Sequence, residues 1–408
     1  MIELDDMGVP RLKQGGPLKL APKERAVLAQ LLRRPDGVVS KAAFAQEAWQ
    51  GEEMTDESLA RSISRLRRVL KPLGTTLEAH YGLGYRLVLE APSTPQDLET
   101  LAHARQLLVQ RTPAAVTRCI ELARGLCARS AGLLEARIVL VEALVVAILW
   151  GQLPTAAGVA EGMALLADFG EGRRDFPGFH AARASLLDLA WRFDEADEHF
   201  TLALRSEERV DTLMAYSRHL LCMDRCAEAV DVLRRVRQLA PHLLHARMNL
   251  ARALVQGGAG SEAVAEVRAA QVDHPGTPVL QAFALAIEAM VAPRKELEAA
   301  AQRMTDGADA QPFAWSVLAF VRSRLGLRDA TLDIVDAMLL CSATDAGERS
   351  LYAAPLAAIG ETARARALLE AAAEQGCGIL GLVLRDPAHA HWLPADPAGQ
   401  CLLKRVFG

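Results

Sequence analysis

The chain has 408 residues, of which 51% are apolar and only 5% aromatic, and at roughly 100 to 200 residues per domain a single core cannot account for it. The formal net charge of −4 hides an asymmetry, because residues 1–92 carry 14 Lys/Arg against 12 Asp/Glu while the rest carries 32 against 38. Whole-chain charge therefore decides nothing about nucleic acid, whose phosphates respond to local clusters of Lys and Arg.

The first residues, Met1 to Asp6, lack the basic segment and apolar core of a signal peptide. Between residues 2 and 20, short apolar pieces (Ile2, Leu4, Val9, Leu12, Leu18 and Leu20) are broken by Gly8, Pro10, Gly15, Gly16 and Pro17, which predicts small antiparallel strands. From Pro22 the spacing of Val27, Leu28, Leu31 and Leu32 predicts a helix that ends before Pro35-Asp36-Gly37. Ser40 caps a second helix carrying Phe44, Ala48 and Trp49. A polar loop, Gln50, Gly51, Glu52, Glu53 and Met54, leads to Thr55 as the cap of a third helix that runs to Lys71.

That third helix, with the sequence ESLARSISRLRRVLK, is two-faced. Leu59, Ile63, Leu66 and Leu70 fall on one stripe, and Arg61, Ser64, Arg65 and Arg68 lie opposite, with Arg67 on the flank and Lys71 at the end. Five basic residues between Ser58 and Lys71 meet no acid within that window, so helical i,i+4 ion pairs are not expected to explain them. A helix fits the major groove, where Arg engages guanine O6 and N7 bidentately. After Pro72, TLEAHYGLGYRLVLE alternates through a Gly82/Gly84 turn and predicts a hairpin with His80 and Tyr81 near its tip. A basic helix followed by a hairpin is the layout of a winged helix.

The runs PKERAVLAQLLRRPDGVVSKAAFAQEAW, SLARSISRLRRVL and YGLGYRL closely resemble the OmpR/PhoB-type winged-helix domain. The resemblance implies that Arg61 and Arg65 face bases, that Ser64, Arg67, Arg68 and Lys71 meet phosphate, and that His80, Tyr81 and Arg86 belong to the DNA-contacting wing. It also implies that the loop Gln50, Gly51, Glu52, Glu53, Met54 contacts RNA polymerase, and that tandem half-sites are bound by a homodimer. Two departures stand out. Ala79, His80 and Tyr81 replace the usual Thr or Val and basic tip residue, and Ala21 stands where Thr commonly caps the first helix, at a cost of about 1 kcal/mol.

The segment from Ala91 to Asp97 reads as a linker, placed at 93–98, between a DNA-binding domain (1–92) and a helical domain (99–408). Ile138 to Trp150 is too short for a membrane span and is interrupted by Glu142, which predicts a buried helix. Beyond the linker a period of 33 to 34 residues links Ala196, Ala229 and Ala263, with Pro241 and Pro275 trailing the last two; Ala330 and Ala365 continue it, and looser copies lie around Leu297 and Ala160. This pattern resembles the tetratricopeptide (TPR) repeat, whose stacked helix pairs bind proteins or peptides, and the segment from Val383 to Gly408 is expected to cap the stack. The expected fold class is thus mainly α, a winged helix followed by a TPR-like α-solenoid.

Seven cysteines without a CxxC pair read as reduced, buried thiols, and Cys222/Cys226 and His389/His391 do not form a metal set. No phosphate loop, dinucleotide fingerprint, HExxH or GxSxG is present, so no enzyme, metal or cofactor is expected. A DNA-binding domain ahead of a TPR-like stack resembles the HilA-like regulators of virulence and secretion genes, and also antibiotic-pathway regulators. It implies a cytoplasmic transcriptional regulator, an activator more than a repressor, binding double-stranded DNA. A TPR scaffold whose winged helix contacts protein is the alternative.

Overall fold

A computed structural model describes residues 2–4, 9–12, 18–34, 37–49, 53–70, 75–80, 82–89, 94–130, 132–167, 169, 176–206, 208–291, 293, 295, 297, 298, 312–340 and 346–408. They fall into two compact units: residues 1–143 with 164–179, and residues 144–163 with 180–408.

The first unit begins with two short strands, β1 (Ile2–Leu4) and β2 (Pro10–Leu12), paired antiparallel with Ile2 opposite Leu12. Pro22, whose missing N–H costs nothing at the first helical position, starts α1 (Pro22–Arg33). Ala21 has no side chain to cap it, and Glu24 Oε2 instead accepts the Ala21 N–H at 3.0 Å. Strand β3 (Val38–Ser40) follows, an element the sequence reading takes only as the approach to a cap. Ser40 then accepts the Ala43 N–H at 3.2 Å and opens α2 (Lys41–Ala48). Thr55 does the same for Ser58 at the head of α3 (Asp56–Leu70).

The hairpin of β4 (Thr75–His80) and β5 (Gly84–Leu89) completes a three-stranded sheet in the order β3-β5-β4. Gly84 lies opposite both His80 and Ser40, and a Cβ there would sit 1.9 Å from the Val39 carbonyl oxygen, so only glycine lets the wing approach β3. One core joins these pieces: Val27, Leu28 and Leu31 of α1, Phe44 of α2, Leu59, Ile63, Leu66 and Leu70 of α3, and Leu77 and Leu87 of the hairpin.

Beyond the wing, Thr94 caps α4 (Pro95–Gln110), so helix starts inside the stretch that composition marks as linker. Asp97 accepts from Arg129 Nε at 2.7 Å and from the Ser130 hydroxyl at 2.9 Å, tying α4 to the end of α5 (Pro113–Arg129). Chiefly the Arg129 bond, then those from Thr94 and Ser130, hold its carboxyl well below the usual carboxylate range. The apolar run expected to be a buried helix is α6 (Leu134–Leu149), and α7 (Thr155–Ala167) follows.

Helix pairs then repeat: α8 (Phe179–Leu189) with α9 (Phe193–Ser206), α10 (Val210–Cys222) with α11 (Cys226–Leu239), and α12 (Leu244–Gln256) with α13 (Gly260–Asp273). Helix α14 (Pro278–Val291) precedes the pair α15 (Pro312–Arg324) and α16 (Arg328–Leu340), and α17 (Ala346–Ser350), α18 (Ala353–Ala358) and α19 (Thr362–Glu374) close the series. First helices start at residues 210, 244, 278, 312 and 346, which makes the period 34 residues.

The small residue of each second helix is buried at Ala196, Ala229, Ala263 and Ala365, as expected, and Leu297 is buried in its looser copy. Two positions need correction. Thr331, not Ala330, occupies the buried site, its hydroxyl donating to the Leu327 carbonyl at 2.8 Å, which removes the cost of burying it. Upstream, Ala160 is exposed and Gly162 takes the close approach, where a Cβ would stand 2.7 Å from Leu186 Cδ1.

After α20 (Leu380–Leu384), a short 3₁₀ turn at Pro387–His389 and α21 (Pro397–Phe407), the chain does more than cap its last repeat. Within the second unit, Gly378 N donates to Thr155 Oγ1 at 2.9 Å, Arg385 Nε donates to the Cys222 carbonyl at 3.0 Å, and Phe407 stacks on Phe193 at 5.6 Å. The terminal segment thus returns to helices at the start of the series.

Candidate nucleic-acid interface

Helix α3 sets the geometry of the site. Its apolar stripe of Leu59, Ile63, Leu66 and Leu70 is at most 1% exposed, so the helix is fixed in rotation and its other face must point outward. Arg61, Ser64, Arg65, Arg67 and Arg68 are all exposed there. The core on one side and the cations on the other follow from one 3.6-residue period.

The arginines are not equivalent. Arg61 meets Glu57 at 2.5 Å one turn back, and Arg65 Nη1 meets Glu24 Oε1 of α1 at 3.3 Å. The expectation that no acid accompanies these cations is therefore corrected: Glu57 lies one residue outside the window considered, and Glu24 comes from another helix. Arg67 Nε donates to the Leu77 carbonyl at 2.9 Å, so this side chain also joins α3 to β4. Arg68 makes no ion pair or hydrogen bond among the described residues.

The wing carries less charge than the sequence reading assigns it. Arg86, also expected to contribute, is 3% exposed and its guanidinium is held by Glu78 across the β4–β5 ladder, which ties it to the hairpin. His80 is half-buried, and its Nε2 is buried without a hydrogen-bond partner among the described residues. Gly82, at φ +76°, turns the tip, and Leu83 beside it is 65% exposed. An apolar tip residue carries no sequence signal for a groove contact, and the sequence reading passes over it. In the loop before α3, Glu53 is exposed and Met54 half-buried against the core. Gln50, Gly51, Glu52, Lys71 and Tyr81, also expected to contribute, lie outside the described residues.

No group of three or more metal-ligating side chains occurs among the described residues, and none of their helices is long and apolar enough to cross a membrane. Cys222 is fully buried and its thiol is pushed up to about 12 by burial, then by Asp188. Trp392 Nε1 donates to His389 Nδ1 at 3.1 Å, and burial lowers the basicity of that imidazole. In the second unit a cleft lined by Phe283, Ile287, Met290, Phe313 and Phe320 is bordered by Pro387 and Ala388 of the returning segment.

Residues 15–87 match the family described as "Transcriptional regulatory protein, C terminal". The chain is 38% identical over 85 residues to the transcriptional regulator HilA of Salmonella typhimurium (strain LT2), a match covering 19% of this chain and 15% of the relative. The HilA proteins of Salmonella typhi and Salmonella paratyphi A match to the same extent. The chain thus spans only 15% of the length of these curated relatives in the match. Among solved structures, the anaphase-promoting-complex hetero-tetramer Cut9–Hcn1 aligns at 13% identity with a TM-score of 0.50, over 76% of this chain and 55% of that one. A tetratricopeptide repeat protein from Parabacteroides merdae aligns at 10% identity with a TM-score of 0.45, over 64% and 98%. Residues 15–87 of the first unit are thus similar to a transcriptional regulatory domain, and the described residues are mainly helical with TPR-like pairs.

Proposed function

We propose that this chain is a DNA-binding transcriptional regulator that lays α3 in the major groove, with Arg65 and Arg61 toward base edges and Ser64, Arg67 and Arg68 toward phosphates. One observation carries the reading: in a domain of the regulatory family, α3 buries its whole apolar stripe and leaves its arginines exposed on the opposite face. By the family resemblance, Lys71, His80 and Tyr81 are assigned further contacts with the flanking backbone and the adjacent groove. On the family resemblance and the unpaired cysteines, we read it as an activator acting in the cytoplasm. The loop from Gln50 to Met54 meets RNA polymerase, two copies occupy tandem half-sites, and the helical repeats engage a protein or peptide partner.

Titration of the full chain against a duplex selected from a random library tests the reading. Arg65→Ala is expected to relax preference at one base position at a cost of about 1–3 kcal/mol, whereas Arg68→Ala weakens every sequence about equally and lowers the salt slope by about one. Equal losses from both variants on selected and scrambled duplexes overturn specific readout by this face.

A further inference from the structure

Glu24 is 8% exposed at the first turn of α1, 41 residues before the arginine it touches. Both its oxygens are engaged: Oε2 accepts the Ala21 N–H at 3.0 Å, and Oε1 accepts from Arg65 Nη1 at 3.3 Å. The first bond anchors the carboxylate to the backbone, which makes Glu24 a fixed post rather than a mobile surface acid. Arg65, two-thirds exposed, is held by one nitrogen while its remaining N–H donors stay open to solvent. Glu57 and Arg61 form a pair of a different kind, since both side chains are more than 70% exposed and neither is anchored elsewhere by a described contact. Arg68 has no ion-pair partner among the described residues.

From this grading we infer that Glu24 is a positioning residue that makes Arg65 a reader of base edges rather than of phosphate. Two physical effects act in the same direction. A guanidinium already held in one orientation gives up less side-chain freedom when it forks onto guanine O6 and N7. A carboxylate next to the guanidinium also offsets its charge, so the pair gains less from a phosphate, whose attraction is electrostatic, than an unaccompanied arginine does. Arg68 takes the complementary role of an unoriented phosphate contact. The inference rests on α3 being the recognition element, and the experiment separates the two claims.

The full chain carrying Glu24→Gln keeps an oxygen for the Ala21 N–H but turns an NH2 donor toward Arg65, so it loses both the charge and the hydrogen bond that holds the guanidinium. Its affinity is measured by fluorescence anisotropy for a library-selected duplex and for a scrambled one, at four salt concentrations. The expected result is a roughly tenfold fall in the selected-to-scrambled ratio, tighter binding to the scrambled duplex, and a salt slope steeper by up to about one. Glu24→Asp, which keeps the charge on a shorter arm, is expected to restore the slope but not the full ratio. In an Arg65→Ala background, Glu24→Gln should leave the ratio unchanged, because its effect passes through that arginine. An unchanged ratio and slope in Glu24→Gln, with only a lower melting temperature, overturns the inference and leaves a capping role. If Arg65→Ala itself leaves base preference intact, the assignment of α3 as the reading element fails with it.

Discussion

Arg86 shows how much one side chain depends on a partner that is easily overlooked. Its guanidinium sits at 3% exposure on β5, and Glu78, directly opposite on β4, is the ion-pair partner among the described residues. A buried charge stripped of its partner costs several kcal/mol, whereas replacing the charge by an apolar side chain of similar volume is often neutral. Because Glu78 is itself about half exposed, its share is discounted for solvent, and Glu78→Ala is expected to destabilise the amino-terminal domain by about 1–3 kcal/mol. Arg86→Met should cost less than Glu78→Ala, and urea denaturation of both variants gives the order. Neither should change the salt slope of DNA binding, which Arg68→Ala is expected to lower. A family motif ending in Gly-x-Gly-Tyr-Arg assigns Arg86 to the wing surface; alternation along β5 does place it on the sheet face opposite core residue Leu87, yet it is buried there beside Glu78. Pairing with Glu78 is a fact of register that no local pattern announces.

At the scale of the element, local periodicity explains what was legible and where legibility ended. The stripe on α3 and the caps at Ser40 and Thr55 depend on residues within one or two turns, and the structure reproduces them. The three-residue strand β3 is too short for a period, and the acid facing Arg65 lies on another helix. In the repeats, a search for alanine slips by one residue at Ala330, because the buried site accepts a threonine whose hydroxyl bonds to the preceding turn. The turns between paired helices hold a steadier marker: Trp191, Asp224, Gly258, Gly326 and Gly360 all have positive φ at matching places in the period. Gly326 tests this directly, since a Cβ there meets nothing within 4 Å and any penalty is backbone strain alone. Gly326→Ala is expected to lower stability by about 1 kcal/mol and Gly326→Asn by less, because Asn tolerates the left-handed region. Thermal melting of the full chain distinguishes them, and equal losses would remove the conformational explanation.

For the whole molecule, the two units divide the labour: one carries the exposed arginines of α3, the other a helical series that its own carboxy-terminal segment re-enters. Repeat arrays owe their stability to nearest neighbours, and such an array tolerates loss of its last segment beyond the repeat it touches. Here the contacts of Gly378, Arg385 and Phe407 reach Thr155, Cys222 and Phe193, so nearest-neighbour additivity should fail. This return spans up to 223 positions, which is why a cap on the final repeat was all that sequence could foretell. Cys222 reports on it, because the thiol is fully buried, its ionisation is pushed up to about 12, and Gly381 packs within reach of its sulfur. A buried thiol that ionises so late is inert to alkylation, since the thiolate is the nucleophile. In the intact chain iodoacetamide at pH 8 should therefore modify exposed Cys401 and spare Cys222. Removing residues 378–408 should open Cys222 to the reagent while the repeats keep their helical circular dichroism. Peptide mass mapping reads Cys222 in both chains, with Cys401 as the reactive control in the intact one, and a Cys222 that stays protected after truncation would show that the helical pairs, not the returning segment, bury it.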